Sequence, residues 1–209
     1  MAFALEGSNM VKWDAVKEGD SVTPMVKDPI KRDEIIAYGN AGGDTNPIHM
    51  NEKAAEGAGL GGVIAHGLYN MALVCHMMTN WIGKDGKLKR IDVQFRGMVR
   101  PGDRVTSTGK ITKKYVKDGE KCVDIDIVQE AKTPVASGTI LQFEKVDAAT
   151  TEAMTRQWLK GGDNLLFEVT KECSTEIEKD GKKLKRKAMD YKIWRVQSSI
   201  LGSATAVLS

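Results

Sequence analysis

The chain has 209 residues, of which 41% are hydrophobic and 28% are charged. This balance is typical of a soluble globular protein and excludes wholesale disorder, because enough apolar surface exists to offset the chain entropy. The net charge of +3 gives no indication of a nucleic-acid partner. Three widely separated cysteines without a CxxC motif favour a reducing compartment, and the N-terminus lacks the pattern of a secretory signal. We therefore expect a cytoplasmic protein.

The first elements are short. Extended pieces around a turn at Lys17–Asp20 precede a predicted helix over 31–38, which Gly39 is expected to end. A polar loop over 40–47 then leads to a small helix that Asn51 can cap.

A long uncharged stretch follows, from Gly57 to Gly83, with six glycines and two histidines among its 27 residues. Its continuous apolar part, Leu68–Ile82, predicts a helix that is apolar nearly all round. Such a helix in an otherwise ordinary chain is typically buried in a core, so we predict a central helix and no membrane span.

Beyond Gly83 the apolar residues alternate with polar ones, which is typical of half-buried strands. The predicted strands cover 91–95, 105–116, 123–127 and 135–146, with turns at 100–103 and 117–120. A run of antiparallel strands after one buried helix predicts an α+β fold in which the sheet covers the helix.

The last part of the chain differs in composition, and we predict a domain over 1–146 and a C-terminal α/β extension of unknown role over 147–209. A helix is predicted over 148–160, and Asp180-Gly181 indicates a hairpin. The basic cluster Lys182–Lys187 is interpreted as a solvated hairpin surface.

The most informative segment is Gly43-Asp44-Thr45-Asn46-Pro47-Ile48-His49. A residue before proline is pushed towards an extended conformation, so a bend separates Asp44 from His49 and can aim both side chains into one pocket. A carboxylate and an imidazole can hold a water molecule between them, and imidazoles in general titrate near neutrality. Taken alone, the pair also fits a turn cap and a surface histidine.

A second segment, Ile64-Ala65-His66-Gly67, stands at the head of the apolar helix. Gly67 has no side chain to obstruct a ligand, and its amide near a helix N-terminus suits developing negative charge. The two segments together predict proton transfer or water addition next to a carbonyl. Asp44, His49 and His66 could also form a metal site, but no HxH or HExxH spacing supports one, so no metal site is predicted.

These two segments, with Phe95-Arg96-Gly97-Met98-Val99-Arg100-Pro101-Gly102-Asp103, resemble the hydratase motif of MaoC-like, (R)-specific enoyl-CoA hydratases. The resemblance covers roughly residues 10–146. It implies a hot-dog fold, an antiparallel sheet wrapped around one long central helix, in a homodimer or a higher homo-oligomer. It also implies a hydro-lyase of fatty acid metabolism that needs no metal or other cofactor.

Carried over by position, the resemblance implies a catalytic role for Asp44, His49 and Gly67. The first two would activate the water that adds to a trans-2-enoyl thioester of coenzyme A or acyl carrier protein, and the Gly67 amide would hold the thioester oxygen. Asn46, His66 and Cys75 are expected at the substrate-binding site. Cys75 is a departure, because some members of the family carry a serine there.

Two alternative functions stay open at this stage: a hot-dog acyl-CoA thioesterase, and a non-catalytic acyl-CoA-binding or scaffold subunit. Arg96, Arg100 and Arg104 fit either contacts with coenzyme A phosphates or a solvated strand face. The sequence does not specify the acyl chain.

Overall fold

The computed structural model describes residues 11–141, 164–179 and 181–209. The helices are α1 (Arg32–Gly42), α2 (Pro47–Met50), α3 (Glu52–Gly57) and α4 (Gly67–Ile82), and a 3-10 turn covers Trp13–Ala15. The strands are β1 (Ser21–Lys27), β2 (Lys87–Phe95), β3 (Arg104–Lys117), β4 (Glu120–Leu141), β5 (Leu165–Lys179) and β6 (Lys182–Val207). The predicted helix over 148–160 lies outside the described residues.

The chain divides into two compact units. The first comprises the described residues up to Ala131 together with Ser198–Ser209, and the second comprises Lys132–Gln197 as far as it is described. The sequence-based boundary at 146 does not coincide with this division, because the end of the chain is part of the first unit.

In the first unit the strands follow the order β1-β3-β4-β6-β2. The C-terminal half of β6 pairs antiparallel with β2, with Ile91 opposite Ala204 and Phe95 opposite Ile200. The uncharged C-terminal segment is thus an inner strand of this sheet rather than part of a separate extension. Sequence alone did not reveal this pairing, since more than a hundred positions separate the two strands.

The central helix α4 packs against this sheet through its apolar residues. Its contribution to the main core is Val74, Met77, Met78, Trp81 and Ile82. The sheet contributes Val22, Ile111, Val123, Ile125, Ile127, Ile200, Ala204 and Ala206. The predicted long buried helix covered by an antiparallel sheet is confirmed, and Met77 and Met78 belong to its core.

A second, smaller core cluster lies beside the first turns of α4. It consists of Ile30, Ile35, Ala65, Val99, Val105 and Ala131, with Tyr69 and Leu73 packed against it. This cluster fixes α1 and the segment leading into α4 relative to the sheet. None of the helices among the described residues is both long and apolar enough to cross a membrane.

The second unit contains the β5–β6 hairpin. Lys183 and Lys185 in the basic cluster stand opposite Glu178 and Glu176 in the strand register, which agrees with the interpretation of that cluster as a solvated surface. The described part of the predicted strand over 135–146 is the end of β4, which runs without interruption from Glu120 to Leu141, and 142–146 lie outside the described residues.

The position of the C-terminal strand yields a prediction on stability. Ala204 is 3% exposed, whereas its neighbour Ser203 is exposed. The asparagine side chain of Ala204→Asn would overfill the core and bury an amide without a hydrogen-bond partner. The substitution should therefore lower the free energy of unfolding by about 2 kcal/mol or more. Ser203→Asn, the matched control, should change it by no more than about 0.5 kcal/mol. Urea unfolding of both variants measures this, and equal small effects would contradict the inner-strand assignment.

Candidate active site

The loop that carries Asp44 is shaped by local capping. Gly43, with a φ of 76°, ends α1 in the left-handed region that glycine tolerates best. The backbone amide of Asn46 then donates to Asp44 Oδ1 at 3.3 Å, and Asn46 Oδ1 accepts from the Ile48 amide at 3.2 Å. Asn46 thereby caps α2, which begins at Pro47. Its predicted contact with substrate stays a prediction.

Helix α2 had not been predicted and has only four residues, but it places His49. Arg32 of α1 holds its end: one guanidinium nitrogen donates to the His49 carbonyl at 2.9 Å and another to the Met50 carbonyl at 2.6 Å. These bonds give donors to the last carbonyls of the helix, which no backbone N–H of so short a helix can reach. Nothing in the sequence pattern distinguishes Arg32 from an ordinary surface arginine.

The His49 side chain is only 8% exposed, and its Nδ1 lies 2.8 Å from the Ile64 carbonyl oxygen. A carbonyl oxygen can only accept, so Nδ1 carries the proton and donates. In the neutral ring Nε2 then keeps a lone pair. In the neutral form of His49 the nitrogen that can accept a proton is therefore Nε2.

His66, the residue before the first turn of α4, is 1% exposed and mirrors this arrangement. Its Nε2 lies 2.9 Å from the backbone carbonyl oxygen of Asp44 and donates to it. The His49 and His66 rings are in tilted contact, with centroids 3.9 Å apart and planes inclined by 32°. His66 thus ties the Asp44 loop to the start of the central helix.

The structure brings the two predicted segments together. A carboxylate oxygen of Asp44 and one ring nitrogen each of His49 and His66 all lie within 4.8 Å of one another. Asp44 is exposed, whereas both histidines are buried. The site therefore has one open, charged side and one closed, aromatic side, and its three side chains are also potential metal ligands.

Gly67 is the first residue of α4, so its amide has no acceptor within the helix. A β-carbon at this position would lie 3.3 Å from the Phe95 ring, which is 51% exposed. Phe95 therefore covers the space that the missing side chain leaves. The predicted role of the Gly67 amide as a hydrogen-bond donor to substrate stays a prediction.

Cys75 lies eight residues beyond Gly67 on α4, which corresponds to about 12 Å along the helix axis. Burial raises the pKa of its thiol, so the group is a neutral thiol at neutral pH. The role at the substrate-binding site expected from the resemblance stays a prediction and gains no support from this position.

A polar chain supports the closed side of the site. Tyr38 packs against His66, with ring centroids 5.2 Å apart, and edge-on against Tyr69 at 5.5 Å. The Tyr69 hydroxyl donates to Glu34, whose other carboxylate oxygen accepts from Lys27. Burial by itself raises the pKa of Glu34, but the hydrogen bond and charge of Lys27, with the other donors, outweigh burial and lower it.

The same contacts act on Tyr69 in the opposite direction. Burial, followed by the charge and the acceptor role of Glu34, raises the pKa of the Tyr69 hydroxyl well above its usual range. Tyr69 is therefore a neutral donor, and the chain supports the site by packing and hydrogen bonding rather than by titrating near neutral pH.

The three arginines considered above as contacts for coenzyme A phosphates all form hydrogen bonds or ion pairs within the protein. Arg100 donates to the Gly62 and Leu60 carbonyls and so fixes the approach to α4, and Arg104 pairs with Asp28 at 2.6 Å. Arg96 donates to Gln94 Oε1 at 2.5 Å from an exposed position. These contacts assign Arg100 a structural role.

Gly39 is a site residue that the sequence analysis treated only as a helix end. It lies within α1 and is buried, and a β-carbon there would lie 2.9 Å from the Asp44 carbonyl oxygen and 3.1 Å from His66 Nε2. The hydrogen bond between these two groups passes directly over Gly39, so a larger residue would displace it.

The family model described as MaoC like domain matches residues 15–133. The chain is 28% identical over 129 residues to a 3-hydroxybutyryl-CoA dehydratase of Methylorubrum extorquens, covering 53% of this chain and 82% of that protein. It is 35% identical over 97 residues to a fatty acid synthase subunit beta of Gibberella zeae, covering 46% of this chain but 5% of that protein. The chain thus spans only a small part of the fatty acid synthase subunits that it matches.

Solved structures agree on the fold. The (R)-hydratase from A. caviae involved in PHA biosynthesis superimposes with a TM-score of 0.56 at 14% identity, covering 93% of this chain and 98% of that one. A MaoC-like dehydratase gives a TM-score of 0.53 at 21% identity, covering 88% and 42%. Identities this low support the hot-dog fold alone.

The close approach at Gly39 generates a prediction. Gly39→Ala should lower the free energy of unfolding by about 1 kcal/mol or more, because the overlap with Asp44 and His66 exceeds the gain in helix propensity. Gly42→Ala is the matched control in the same helix, since a β-carbon there meets only Tyr38 at 3.9 Å. Urea unfolding should show no loss for Gly42→Ala, and an equal response of the two variants would argue against the close contact.

Proposed function

Because the chain belongs to the MaoC-like domain family, we propose that it catalyses the reversible addition of water to a trans-2-enoyl thioester, giving the (R)-3-hydroxyacyl thioester. The observation that carries the proposal is the pairing of the exposed Asp44 carboxylate with the buried His49 ring, whose tautomer the Ile64 carbonyl sets. Related proteins named as an (R)-specific enoyl-CoA hydratase and a 3-hydroxybutyryl-CoA dehydratase support the reaction class.

In the proposed mechanism a water molecule binds between Asp44 and His49. The Asp44 carboxylate accepts one hydrogen bond from this water and orients it, and His49 Nε2 accepts the other. As the water oxygen bonds to the β-carbon of the enoyl group, its proton passes to Nε2. The Ile64 carbonyl bond to Nδ1–H stabilises the positive ring that results.

The electron pair of the double bond moves towards the thioester as the new bond forms. The amide of Gly67, at the positive end of α4, donates to the thioester oxygen as it gains enolate character. The proton on His49 Nε2 then passes to the α-carbon, which completes the addition of one water molecule and restores the neutral imidazole. Dehydration follows the same steps in reverse.

The proposal predicts that the purified protein lowers the enoyl absorbance of trans-2-enoyl-CoA in water. The first substrate to test is trans-2-butenoyl-CoA. It is the product expected when 3-hydroxybutyryl-CoA, the compound in one relative's name, loses water. Asp44→Asn and His49→Ala should each lower the rate at least about 100-fold, the scale expected of acid–base catalysis. Chiral analysis of the product tests the (R) configuration.

Two variants serve as matched controls. Asp126→Asn changes an exposed carboxylate on β4, and His76→Gln changes the one histidine of the chain outside the site. Both should retain the rate of the unmodified protein. Unchanged turnover in Asp44→Asn and His49→Ala would remove the mechanism, and release of free coenzyme A without loss of the double bond would indicate a thioesterase instead.

A further inference from the structure

We propose that Asp44, His49 and His66 form a binding site for a divalent transition metal ion, with Zn²⁺ as the ion best matched to them, and that its occupancy blocks the catalytic pair. The three side chains offer one carboxylate and two imidazoles, converging within 4.8 Å. Imidazole and carboxylate ligands together suit Zn²⁺, whereas Mg²⁺ prefers oxygen ligands alone.

The hydrogen bonds of the two histidines leave the required lone pairs. His49 donates through Nδ1 to the Ile64 carbonyl, and His66 donates through Nε2 to the Asp44 carbonyl. In the neutral rings, His49 Nε2 and His66 Nδ1 are therefore unprotonated. Histidine ligands of metals typically donate their other ring N–H to a carbonyl or a carboxylate in this way.

His66 Nδ1 gives independent support for a ligand. It is buried, in a side chain that is 1% exposed, and it has no hydrogen-bond partner among the described residues. A buried polar nitrogen without a partner costs free energy, which binding of a cation to its lone pair removes. The water-addition mechanism gives this nitrogen no task.

The distances need only a small adjustment. Two ligand atoms of a tetrahedral Zn²⁺ lie about 3.3 Å apart, given metal–ligand distances near 2.0–2.1 Å. One nitrogen of each ring and one Asp44 carboxylate oxygen lie within 4.8 Å of one another, so these atoms must close by up to about 1.5 Å to bind one ion. Asp44 can supply most of this movement, because its side chain is exposed and its carboxylate accepts a long hydrogen bond, 3.3 Å, from the Asn46 amide.

Three protein ligands leave a fourth position of a tetrahedral ion open, as in the zinc sites of hydrolytic enzymes. At this site, however, the ion takes the same His49 lone pair and the same Asp44 oxygen that the proposed mechanism uses to activate water. Bound Zn²⁺ is therefore inhibitory. This effect on activity rests on the proposed function, whereas binding of the ion does not.

The test measures binding first, on the full chain purified with a chelator and then freed of it. A competition titration against a chromophoric zinc chelator should give one Zn²⁺ per chain, and Co²⁺ should produce visible absorption bands typical of a site with nitrogen ligands. His66→Gln keeps a donor for the Asp44 carbonyl, and we expect it to weaken Zn²⁺ at least about tenfold. Asp44→Asn should do the same without disturbing a buried group.

Matched controls separate this site from others. His76→Gln and the double variant Cys75→Ser/Cys173→Ser should bind Zn²⁺ as tightly as the unmodified chain. Zn²⁺ should raise the melting temperature of the unmodified chain and of these controls more than that of His66→Gln at the same Zn²⁺ concentration, since stabilisation grows with affinity for the folded state. Mg²⁺ at the same concentration should have no effect.

The outcomes distinguish the two proposals. Equal zinc affinity in the unmodified chain, His66→Gln and Asp44→Asn overturns the metal site, whatever the activity. Hydration that is insensitive to stoichiometric Zn²⁺, in a protein shown to bind it at these residues, overturns the inhibition. Zinc binding that is weakened in both His66→Gln and Asp44→Asn, in a protein without hydratase activity, supports the metal site while removing the proposed function.

Discussion

Two hydrogen bonds from imidazoles to backbone carbonyls hold the candidate site together. His49 on α2 donates to the carbonyl of Ile64, and His66 before α4 donates back to the carbonyl of Asp44. Each bond joins the loop between α1 and α3 to the segment that enters the central helix. Because each also fixes a tautomer, the same two contacts position the site and determine which nitrogens are reactive.

The rest of the first unit keeps these bonds in place. Helix α4 cannot shift, because Val74 and Met78 are fully buried against the sheet. Arg32 holds the end of α2, and Gly39 allows α1 to pass close beneath the Asp44–His66 bond. The buried core thus supplies rigidity, and the site residues themselves need little packing of their own. This explains how the exposed Asp44 remains close to two buried rings.

The features that follow from local sequence patterns were predicted correctly. The apolar run Leu68–Ile82 predicted α4 within one residue of its observed start, and Asn51 caps α3 as expected, accepting from the Ala54 amide at 3.0 Å. The alternation after Gly83 correctly predicted β2 and β3. Composition and capping preferences depend on neighbours in the chain, so one sequence suffices to detect them.

The contacts that join distant segments of the chain were not predicted. The pairing of β2 with the end of β6 follows from strand register across more than a hundred residues, and no local pattern encodes such a register. Asp44, His49 and His66 were considered as a metal-ligand set but not favoured, because the sequence has no HxH or HExxH spacing and does not show that distant residues converge. Gly39 became informative only once the atoms above it were placed.

The fixed tautomers connect catalysis with metal binding in one physical argument. A ring nitrogen that must accept a proton during turnover needs a lone pair, and the carbonyl bond to Nδ1 of His49 places that lone pair on Nε2 in the neutral ring. The corresponding bond at His66 leaves a second lone pair, on the buried Nδ1. The centroids of the two rings are 3.9 Å apart. Carbonyl bonds that orient two imidazoles for proton transfer also orient them as ligands of a divalent transition metal ion.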